Sequence, residues 1–530
     1  MSIDKSQAIP HRDSRHSIMK STSVLSLGTL SSRAIGFVRD VILARLLGTG
    51  MAADAFFVAS RIPNLFRDMI GEGATNAALV PVFSEYLEEK DRVAFWNFVS
   101  VVVTAAMIIL SLITALGIVF SPVLIRLTAP GFMADPGKLQ LTIHLTQIMF
   151  PYLIFIALTA YSMGILFTFR SFFAPAFSPC LLNIAMIISA FLASRYMKQP
   201  VFGLAIGVLV GGVLQLVAQI PSMLKAGMTY RLPKSLSHPG LFKIGRLLIP
   251  RMIGNGIYQL AVLIDTFCAS LANIIGPGGI SAIYYANRLI QFPMGIFTFA
   301  LSSAVLPSLS GFAVRKDYES LKKTLAFSLE NIFFVMCPTT IIFMFLAHPI
   351  IRVFFQRGQF DAYSTDISAN ALCFYSLGLF SFGGIKILVT AFYAMQDTRT
   401  TVIVAGICLA INTVLNFILM YPLKVGGIAL ASSISGTIDF LVLFTILNKR
   451  LGGIDSGLLK YFLKVTLASL IIGGFIAFFW RILPWHHEFL KLILLMVGGL
   501  LMYELICLYL KIEQAEKLMQ WTLKGMFMKK

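Results

Sequence analysis

Apolar residues fill long stretches of this 530-residue chain, and most stretches reach the roughly 20 residues that an α-helix needs to cross a membrane. Fourteen such stretches can be marked out, each bounded by polar or basic residues. They lie at about 22–47, 54–84, 94–122, 139–167, 173–195, 201–224, 241–273, 279–312, 324–348, 365–394, 399–420, 425–448, 458–481 and 488–511. The pattern predicts an all-α polytopic membrane protein with about 14 transmembrane helices.

Composition agrees with that prediction. The chain is 57% hydrophobic and 13% charged, whereas a soluble domain carries about 25% charged residues. Its formal net charge is +19, but no basic patch with interleaved aromatic residues occurs, so we expect no nucleic-acid partner. The six cysteines lie inside apolar segments without metal-ligand spacing, which indicates packing residues rather than a zinc site or a disulfide framework.

Basic residues are distributed unevenly between the two sets of connecting loops. The set that includes both chain ends holds roughly 25 lysines and arginines, against roughly 10 in the other set. Both termini are therefore predicted to be cytoplasmic, with residues 1–19 as a polar tail. Residues 512–530 read either as a basic amphipathic helix on an anionic membrane surface or as an ordinary frayed tail.

An internal repeat divides the first twelve helices into two groups of six. Asp40 is followed 21 residues later by Arg61, and Asp265 is followed 23 residues later by Arg288; each arginine comes shortly after an aromatic pair. Two similar lobes are the usual frame for alternating access. We therefore expect an N-lobe at 20–228, a C-lobe at 229–450 that begins with a polar linker, and an added helix pair at 451–511.

Residues 22–74 carry more charge than a helix pair facing lipid could hold. The charged positions are Arg33, Arg39, Asp40, Arg45, Asp54, Arg61, Arg67, Asp68 and Glu72. Each ionised side chain near the bilayer centre costs roughly 2.5–3.5 kcal/mol, so these groups must face a polar cavity or one another. Spacings of three and four residues place Arg61, Asn64, Asp68 and Glu72 on one stripe of a helix.

Arginine forms planar bidentate contacts with phosphate and does not lose its charge. A cavity rich in arginine therefore predicts an anionic ligand, most simply a phosphate or pyrophosphate headgroup. For Arg33, Arg67 and Arg288 we favour ligand contact, because no acid is obvious for all of them. The alternative is pairing within the protein, of Arg33 or Arg39 with Asp40 and of Arg61 with Asp54 or Asp68; for Arg61 we favour pairing.

A second, smaller set of polar residues lies in apolar helices of the second half. Asp265, Asn412, Asn416 and Ser432 could together supply oxygen ligands to a monovalent cation or accept a proton. The alternative is a hydrogen-bond network that joins helices. Walker, GxSxG and HExxH motifs do not occur in the chain, so we expect neither a soluble type of enzyme nor an ATP-driven pump.

Several motifs together resemble the MurJ (MviN) family of lipid II flippases, within the multidrug/oligosaccharidyl-lipid/polysaccharide exporter superfamily. They are GFVRD, ADAFFVASRIPNLFR, EGA at 72–74, TAPGF at 128–132, APAFSPCLLN at 174–183, YYANRLIQFPMG, VFFQRGQFD at 353–361 and FYAMQDTRT. The resemblance implies two six-helix lobes around a cationic cavity, and two C-terminal helices that line a groove for a lipid tail. It implies transport of an undecaprenyl-pyrophosphate-linked disaccharide-pentapeptide from the cytoplasmic to the outer leaflet of the bacterial inner membrane, for peptidoglycan synthesis.

The resemblance also assigns roles to residues. Arg33, Arg39, Arg67 and Arg288, with Asn64 and Ser281, match positions that contact the substrate or line the cavity. Asp40, Asp54, Glu72 and Gln291 match positions of gating pairs, although Asn287 and Gln291 stand where members often carry acids. It implies partners in lipid II, the bilayer, and cell-wall synthesis and division proteins, and no bound cofactor.

Two points stay open at this level. Sodium-linked members resemble the chain at Asp265, Asn412 and Ser432, but an acid is expected where Asn416 stands, so Na⁺, H⁺ and the membrane potential are alternative energy sources. The substrate could also be another polyprenyl-linked oligosaccharide or a small molecule carried by the same superfamily. A drug-cation exporter would need an acid-rich cavity, which the arginines argue against.

Overall fold

The computed structural model describes residues 15–70, 74–454, 457–483 and 487–527. These residues form α-helices joined by short turns, and no strand occurs among them. The first half contains α1 (Arg15–Leu47), α2 (Met51–Ile70), α3 (Ala74–Glu89), α4 (Arg92–Val119), α5 (Ser121–Thr128), α6 (Pro136–Met149), α7 (Tyr152–Thr168), α8 (Phe173–Tyr196), α9 (Pro200–Val217), α10 (Ile220–Lys225) and α11 (Pro239–Ser270). A 3₁₀ turn at Pro130–Ala134 lies between α5 and α6.

The second half continues with the same kind of element. It contains α12 (Ala272–Ile275), α13 (Gly279–Pro293), α14 (Phe299–Val314), α15 (Tyr318–Phe355), α16 (Ala362–Ser376), α17 (Leu379–Ala394), α18 (Thr398–Leu423), α19 (Val425–Arg450), α20 (Leu458–Ile482), α21 (Glu488–Tyr509) and α22 (Glu513–Phe527). A π-helical segment, Met294–Thr298, connects α13 to α14 within one span. The prediction of an all-α polytopic protein is thus confirmed.

Ten spans among the described residues are long and apolar enough to cross a membrane, and an eleventh is the pair α16 and α17, bent by 47°. The predicted number of 14 is therefore not confirmed. The predicted spans that fail belong to α1, to α2 with α3, and to α11. The first two are the helices of the charge-rich stretch, and their charge lowers the apolar character that a membrane span normally has.

Two predicted helices are interrupted within the described residues, and a third covers two described helices. Predicted helix 54–84 is α2 and α3, with residues 71–73 outside the described chain. Predicted helix 139–167 is α6 and α7, which separate at Phe150 and Pro151 because proline cannot donate the backbone hydrogen bond that would continue the helix. Predicted helix 365–394 is α16 and α17. Apolar content alone does not show such breaks, since both halves remain buried.

The chain forms two compact units that do not follow simple sequence order. Unit 1 comprises residues 1–43, 59–122 and 143–255, and unit 2 comprises residues 44–58, 123–142 and 256–530. In unit 1, α3, α4 and α7 bury an aromatic core in which Phe83 meets Phe95 and Phe98 edge to face. The loop before α11, residues 226–238, joins this core, since the His238 ring stacks on Phe98 with ring centroids 4.6 Å apart.

Unit 2 is organised around the long helix α15, which is kinked at Leu346 and packs against α16, α17 and α20. It also contains the corner between α1 and α2. Gly48 in this corner has a positive φ of 57°, and a Cβ there would lie 2.2 Å from the Gln359 carbonyl oxygen. Only glycine allows this close backbone approach. The Gln359 N–H donates to the Arg45 carbonyl at 2.9 Å, which fastens the corner to the loop after α15.

Among the described residues, five other than glycine adopt positive φ, and all of them follow the end of a helix. Four are basic, and the group consists of Arg170, Lys316, Gln396, Lys424 and Lys511. Glycine is the usual residue at such positions because a Cβ is strained there. These helices therefore end on strained residues, most of them positively charged.

Candidate functional site

Asp54 lies at the centre of a buried polar network in unit 2. Asp54 is 2% exposed and lies in the first turn of α2, where the helix dipole favours a carboxylate. Oδ1 accepts hydrogen bonds from the Ser281 backbone N–H at 3.0 Å and from the Ser281 hydroxyl at 2.6 Å. The structure thus brings together two residues that the sequence resemblance had connected with gating and cavity lining.

Lys138 completes this network, and sequence reasoning missed it. Its ammonium nitrogen lies 2.7 Å from Asp54 Oδ2 and 4.2 Å from the centre of the Phe132 ring. Lys138 sits in the first turn of α6, close to the predicted end of a membrane span, so the residue reads as an ordinary loop lysine. The network of Lys138, Asp54 and Ser281 joins α6, α2 and α13, and it neutralises a carboxylate that burial alone would strongly disfavour.

Arg288 lies on α13 beside the aromatic pair that the repeat analysis singled out. Its guanidinium donates to the Tyr284 hydroxyl at 3.1 Å and to Gln291 Oε1 at 3.4 Å. Tyr284 stacks on Phe57 with ring centroids 3.9 Å apart, so the two aromatic pairs of the repeat meet within unit 2. Gln291 is exposed and also donates to the Asn287 side chain at 3.5 Å.

Arg39 and Asp40 form a buried ion pair in unit 1. Arg39 Nη2 lies 2.6 Å from Asp40 Oδ1, and Arg39 Nη1 donates to Asn183 Oδ1 at 2.8 Å. Arg39 is 8% exposed and Asp40 is 1% exposed. The pairing that the sequence offered as an alternative to ligand contact is therefore present for Arg39, and Asn183 of α8 is a partner that the sequence analysis did not identify.

The remaining predicted residues of unit 1 are more accessible. Arg33, Asn64 and Arg67 are half-buried. Of the two acids expected as partners for Arg61, Asp54 is bonded to Lys138 and Ser281 instead, and Arg61 Nε is buried without a hydrogen-bond partner among the described residues. The Asp68 side chain and Glu72 lie outside the described part of the chain, so only Arg61 and Asn64 of the predicted stripe on α2 are described.

The four residues of the predicted cation set lie together in unit 2. Asn416 Nδ2 donates to Asp265 Oδ1 at 2.8 Å and to Asn412 Oδ1 at 3.2 Å. The Ser432 hydroxyl donates to Asp265 Oδ2 at 3.4 Å. The set joins α11, α18 and α19, so the structure brings together all the residues that the sequence grouped from three separate helices.

The Asp40 and Asp265 clusters follow one plan within their own units. Each contains an aspartate on the first helix of the six-helix repeat and an asparagine on the fifth, Asn183 in one case and Asn416 in the other. In unit 1 the Arg39 guanidinium bonds to both Asp40 and Asn183, whereas Ile264 precedes Asp265 in the sequence of unit 2. The Asp40 cluster thus joins its carboxylate to the asparagine through a cation, and in the Asp265 cluster the Asn416 amide bonds to the carboxylate directly.

The donor set of the Asp265 cluster fits a monovalent cation only in part. A carboxylate, a hydroxyl and amide oxygens suit a hard cation. As oriented, however, Asn416 directs its N–H group at Asp265, and among the described residues its Oδ1 is buried without a hydrogen-bond partner. Rotation of this amide would present the oxygen to Asp265 and the cation position instead, so one side-chain torsion separates the present network, which leaves Oδ1 unbonded, from an oxygen-lined site.

Comparisons with known proteins point to one family. The family model described as lipid II flippase MurJ matches residues 43–498. The chain is 36% identical over 434 residues to the probable lipid II flippase MurJ of Vibrio cholerae, covering 81% of this chain and 82% of that protein. It is 34% identical over 453 residues to the lipid II flippase MurJ of Burkholderia cenocepacia, with 84% and 87% covered.

Solved structures agree with the sequence comparisons. A structure of lipid II flippase MurJ in an inward closed conformation matches with a TM-score of 0.79 and 29% identity, covering 92% of this chain and 98% of that one. An inward-facing multidrug resistance transporter of the MATE family matches with a TM-score of 0.68 at 16% identity, covering 81% and 96%. This second likeness concerns the fold alone.

Proposed function

This chain belongs to the MurJ family of lipid II flippases, and we propose that it carries the lipid II headgroup across the inner membrane by alternating access, from the cytoplasmic to the outer leaflet. The observation that carries the proposal is the family match over residues 43–498, most of the chain. Transport of a preformed lipid needs binding and release without bond breaking, so we propose a transporter and not an enzyme.

We propose that Arg33, Arg39, Arg67 and Arg288 supply the positive charge for the pyrophosphate, with Asn64 and Ser281 as polar contacts. Support comes from the chemistry of arginine, which binds phosphate oxygens in pairs and keeps its charge inside a membrane. Because the family match begins at residue 43, the roles of Arg33, Arg39 and Asp40 rest on their place in α1. Arg39 must then exchange its bond to Asp40 for one to the substrate.

The gating residues of the proposal are Asp40, Asp54, Glu72 and Gln291. The Asp54 network supports a gate at the α1–α2 corner, because it holds three helices together through contacts that a hinge motion of α2 or α6 would break. We add Lys138 to this gate. With both termini in the cytoplasm, as the distribution of basic residues favours, the corner lies at the outer face of the membrane.

The proposed moving parts are the lobes at 20–228 and 229–450, with the helix pair at 451–511 for the lipid tail. For coupling we propose that the Asp265 cluster takes up a monovalent cation or a proton during the cycle, in addition to any effect of the membrane potential. The Arg39 guanidinium in the matching cluster supports a cationic requirement at this place. Replacing Na⁺ by choline, with and without a protonophore, separates the two ions, and Asp265→Asn should abolish either dependence.

The test of the main proposal uses cells that depend on this chain for lipid II transport. Arg33→Ala, Arg67→Ala and Arg288→Ala should each fail to restore growth while protein levels stay normal. A leaflet-accessibility assay should show lipid II retained in the inner leaflet after depletion of the chain. Unchanged outer-leaflet lipid II would reject the proposal and would favour a different polyprenyl-linked oligosaccharide or a small molecule as substrate. Cell-wall synthesis and division proteins are the partners we propose to test for co-purification.

A further inference from the structure

Lys386 is a positive charge inside a membrane span that the sequence analysis passed over. It lies in α17, within the apolar run FSFGGIKILVTAFYA, and its side chain is exposed. Its ammonium nitrogen lies 5.1 Å from the centre of the Phe299 ring on α14. In the part of the chain that the structure describes, no carboxylate lies within ion-pair distance of Lys386.

An intramembrane lysine without a carboxylate needs a polar environment or an anionic ligand. An ammonium group facing lipid near the bilayer centre is strongly unfavourable, and contact with one aromatic ring offsets only part of that cost. Most of α17 is enclosed by α14, α15 and α19, which leaves a narrow accessible stripe along one side of the helix. Lys386 is the charged residue on that stripe. Its ammonium group is best accommodated if the stripe borders a space that admits water and an anion.

The position of Phe299 relates Lys386 to Arg288. Both Arg288 and Phe299 lie on the span Gly279–Val314, eleven residues or about three helical turns apart. At 1.5 Å per residue this corresponds to about 16 Å along the helix. The π-helical segment Met294–Thr298 lies between the two residues, so they are related here by their separation along the span and not by a shared face. Unit 2 therefore presents two cations at different depths, a guanidinium on α13 and an ammonium against α14.

We propose that Lys386 binds a carboxylate of the peptide part of the transported headgroup, while Arg288 binds the pyrophosphate. The proposal rests on the function proposed above. An extended pentapeptide spans about 17 Å at 3.3–3.6 Å per residue, so its carboxylates can reach a cation some 16 Å from the phosphates. The residue types agree with this division. Guanidinium groups match phosphate in a fixed bidentate geometry, whereas a flexible ammonium accepts carboxylates in many orientations.

The test measures binding of three ligands to the full chain in nanodiscs. The ligands are lipid II with free peptide carboxylates, lipid II with those carboxylates amidated, and undecaprenyl pyrophosphate without sugar or peptide. Lys386→Gln should weaken binding of the first ligand about tenfold or more, since it removes a hydrogen bond between two charged groups. It should leave the other two unchanged, whereas Arg288→Gln should weaken all three.

Lys460→Gln is the matched control, because Lys460 is also an exposed helical lysine of unit 2, at the start of α20. It should bind all three ligands like the unaltered chain, and Lys386→Arg should retain preference for free carboxylates. If Lys386→Gln fails to fold, the unaltered chain must still bind amidated lipid II about tenfold more weakly than the free form.

Equal weakening of all three ligands by Lys386→Gln would assign Lys386 to the pyrophosphate and overturn the proposal. No effect on any ligand would also overturn it, leaving Lys386 with a packing role against Phe299. Failure of the unaltered chain to bind any of the three ligands would instead refute the proposed function.

Discussion

Lys138→Met is the substitution that most directly tests the Asp54 network. Methionine keeps the length and apolar stem of lysine but removes the charge that neutralises Asp54. The carboxylate would remain buried, with only the two donors of Ser281. The Asp54 carboxylate would then either stay charged without a counter-ion or take up a proton, and both states cost free energy.

The structure sets the expected size of the effect. The side chains of Lys138 and Asp54 are 11% and 3% exposed, and their atoms are 2.7 Å apart, so solvent screens the pair little. Removing one partner of a buried ion pair costs about 3–5 kcal/mol. Because Ser281 still supplies two hydrogen bonds, we expect the lower end, about 3 kcal/mol of lost unfolding free energy.

The measurement is a double-mutant cycle on detergent-purified protein, using Lys138→Met, Asp54→Asn and the double substitution. Asparagine removes the uncompensated charge, so the double variant should be more stable than Lys138→Met alone, and the coupling should exceed about 1.5 kcal/mol. Equilibrium unfolding and thermal inactivation both measure this coupling between the two substitutions. Additive effects of the two substitutions, or full stability of Lys138→Met, would show that the pair does not hold the three helices together.

Three further predictions concern other parts of the chain. Arg39→Gln should be less stable than Arg39→Gln with Asp40→Asn, because the single change leaves a buried carboxylate without its cation, while both should fail in complementation. Hydrogen bonds from the Thr400 side chain and backbone lower the pKa of Asp397 to about 2. The stabilisation is therefore present above the ordinary pKa of 3.8 and is lost as pH falls toward 2, and Asp397→Asn should lose about 1 kcal/mol of unfolding free energy at neutral pH. Burial lowers the pKa of His238, so below pH 6.5 the unfolded chain binds a proton at this residue more readily than the folded protein does. The thermal unfolding temperature should therefore fall as pH drops through 6.5, and His238→Phe should reduce this pH dependence.

The sequence predicted the helical membrane class because long apolar runs have few other stable states. It also grouped Asp265, Asn412, Asn416 and Ser432 correctly, since polar side chains on apolar helices must satisfy one another. It did not predict the break between α16 and α17, because packing within the protein compensates for backbone groups that a bend leaves unpaired.

Which side chains bond to one another was harder to predict than which residues belong to the candidate site. Asp54 was expected in the gating set, with Arg61 as a partner of Asp54 or Asp68. Asp54 pairs with Lys138 instead, because helix periodicity relates residues on one helix and says nothing of a lysine on another. The signal for Lys138 in the sequence was weak. This lysine directly follows Asp135, Pro136 and Gly137, where a new helix begins, and a lysine at such a place is normally solvated. Lys386 was missed because a single lysine hardly changes the apolarity of its window.

The basic residues that end helices with positive φ have a consequence for how the chain is made. Glycine at these places would relieve backbone strain and would stabilise the folded protein by about 1 kcal/mol each. On the topology we propose, Arg170, Lys316 and Lys511 lie on the cytoplasmic side, where a positive charge orients each newly synthesised hairpin as it leaves the ribosome. On that topology, the finished protein keeps a small permanent strain at these three residues because their charge serves its biosynthesis. Lys316→Gly should raise thermal stability while increasing the fraction of chains inserted in the wrong orientation.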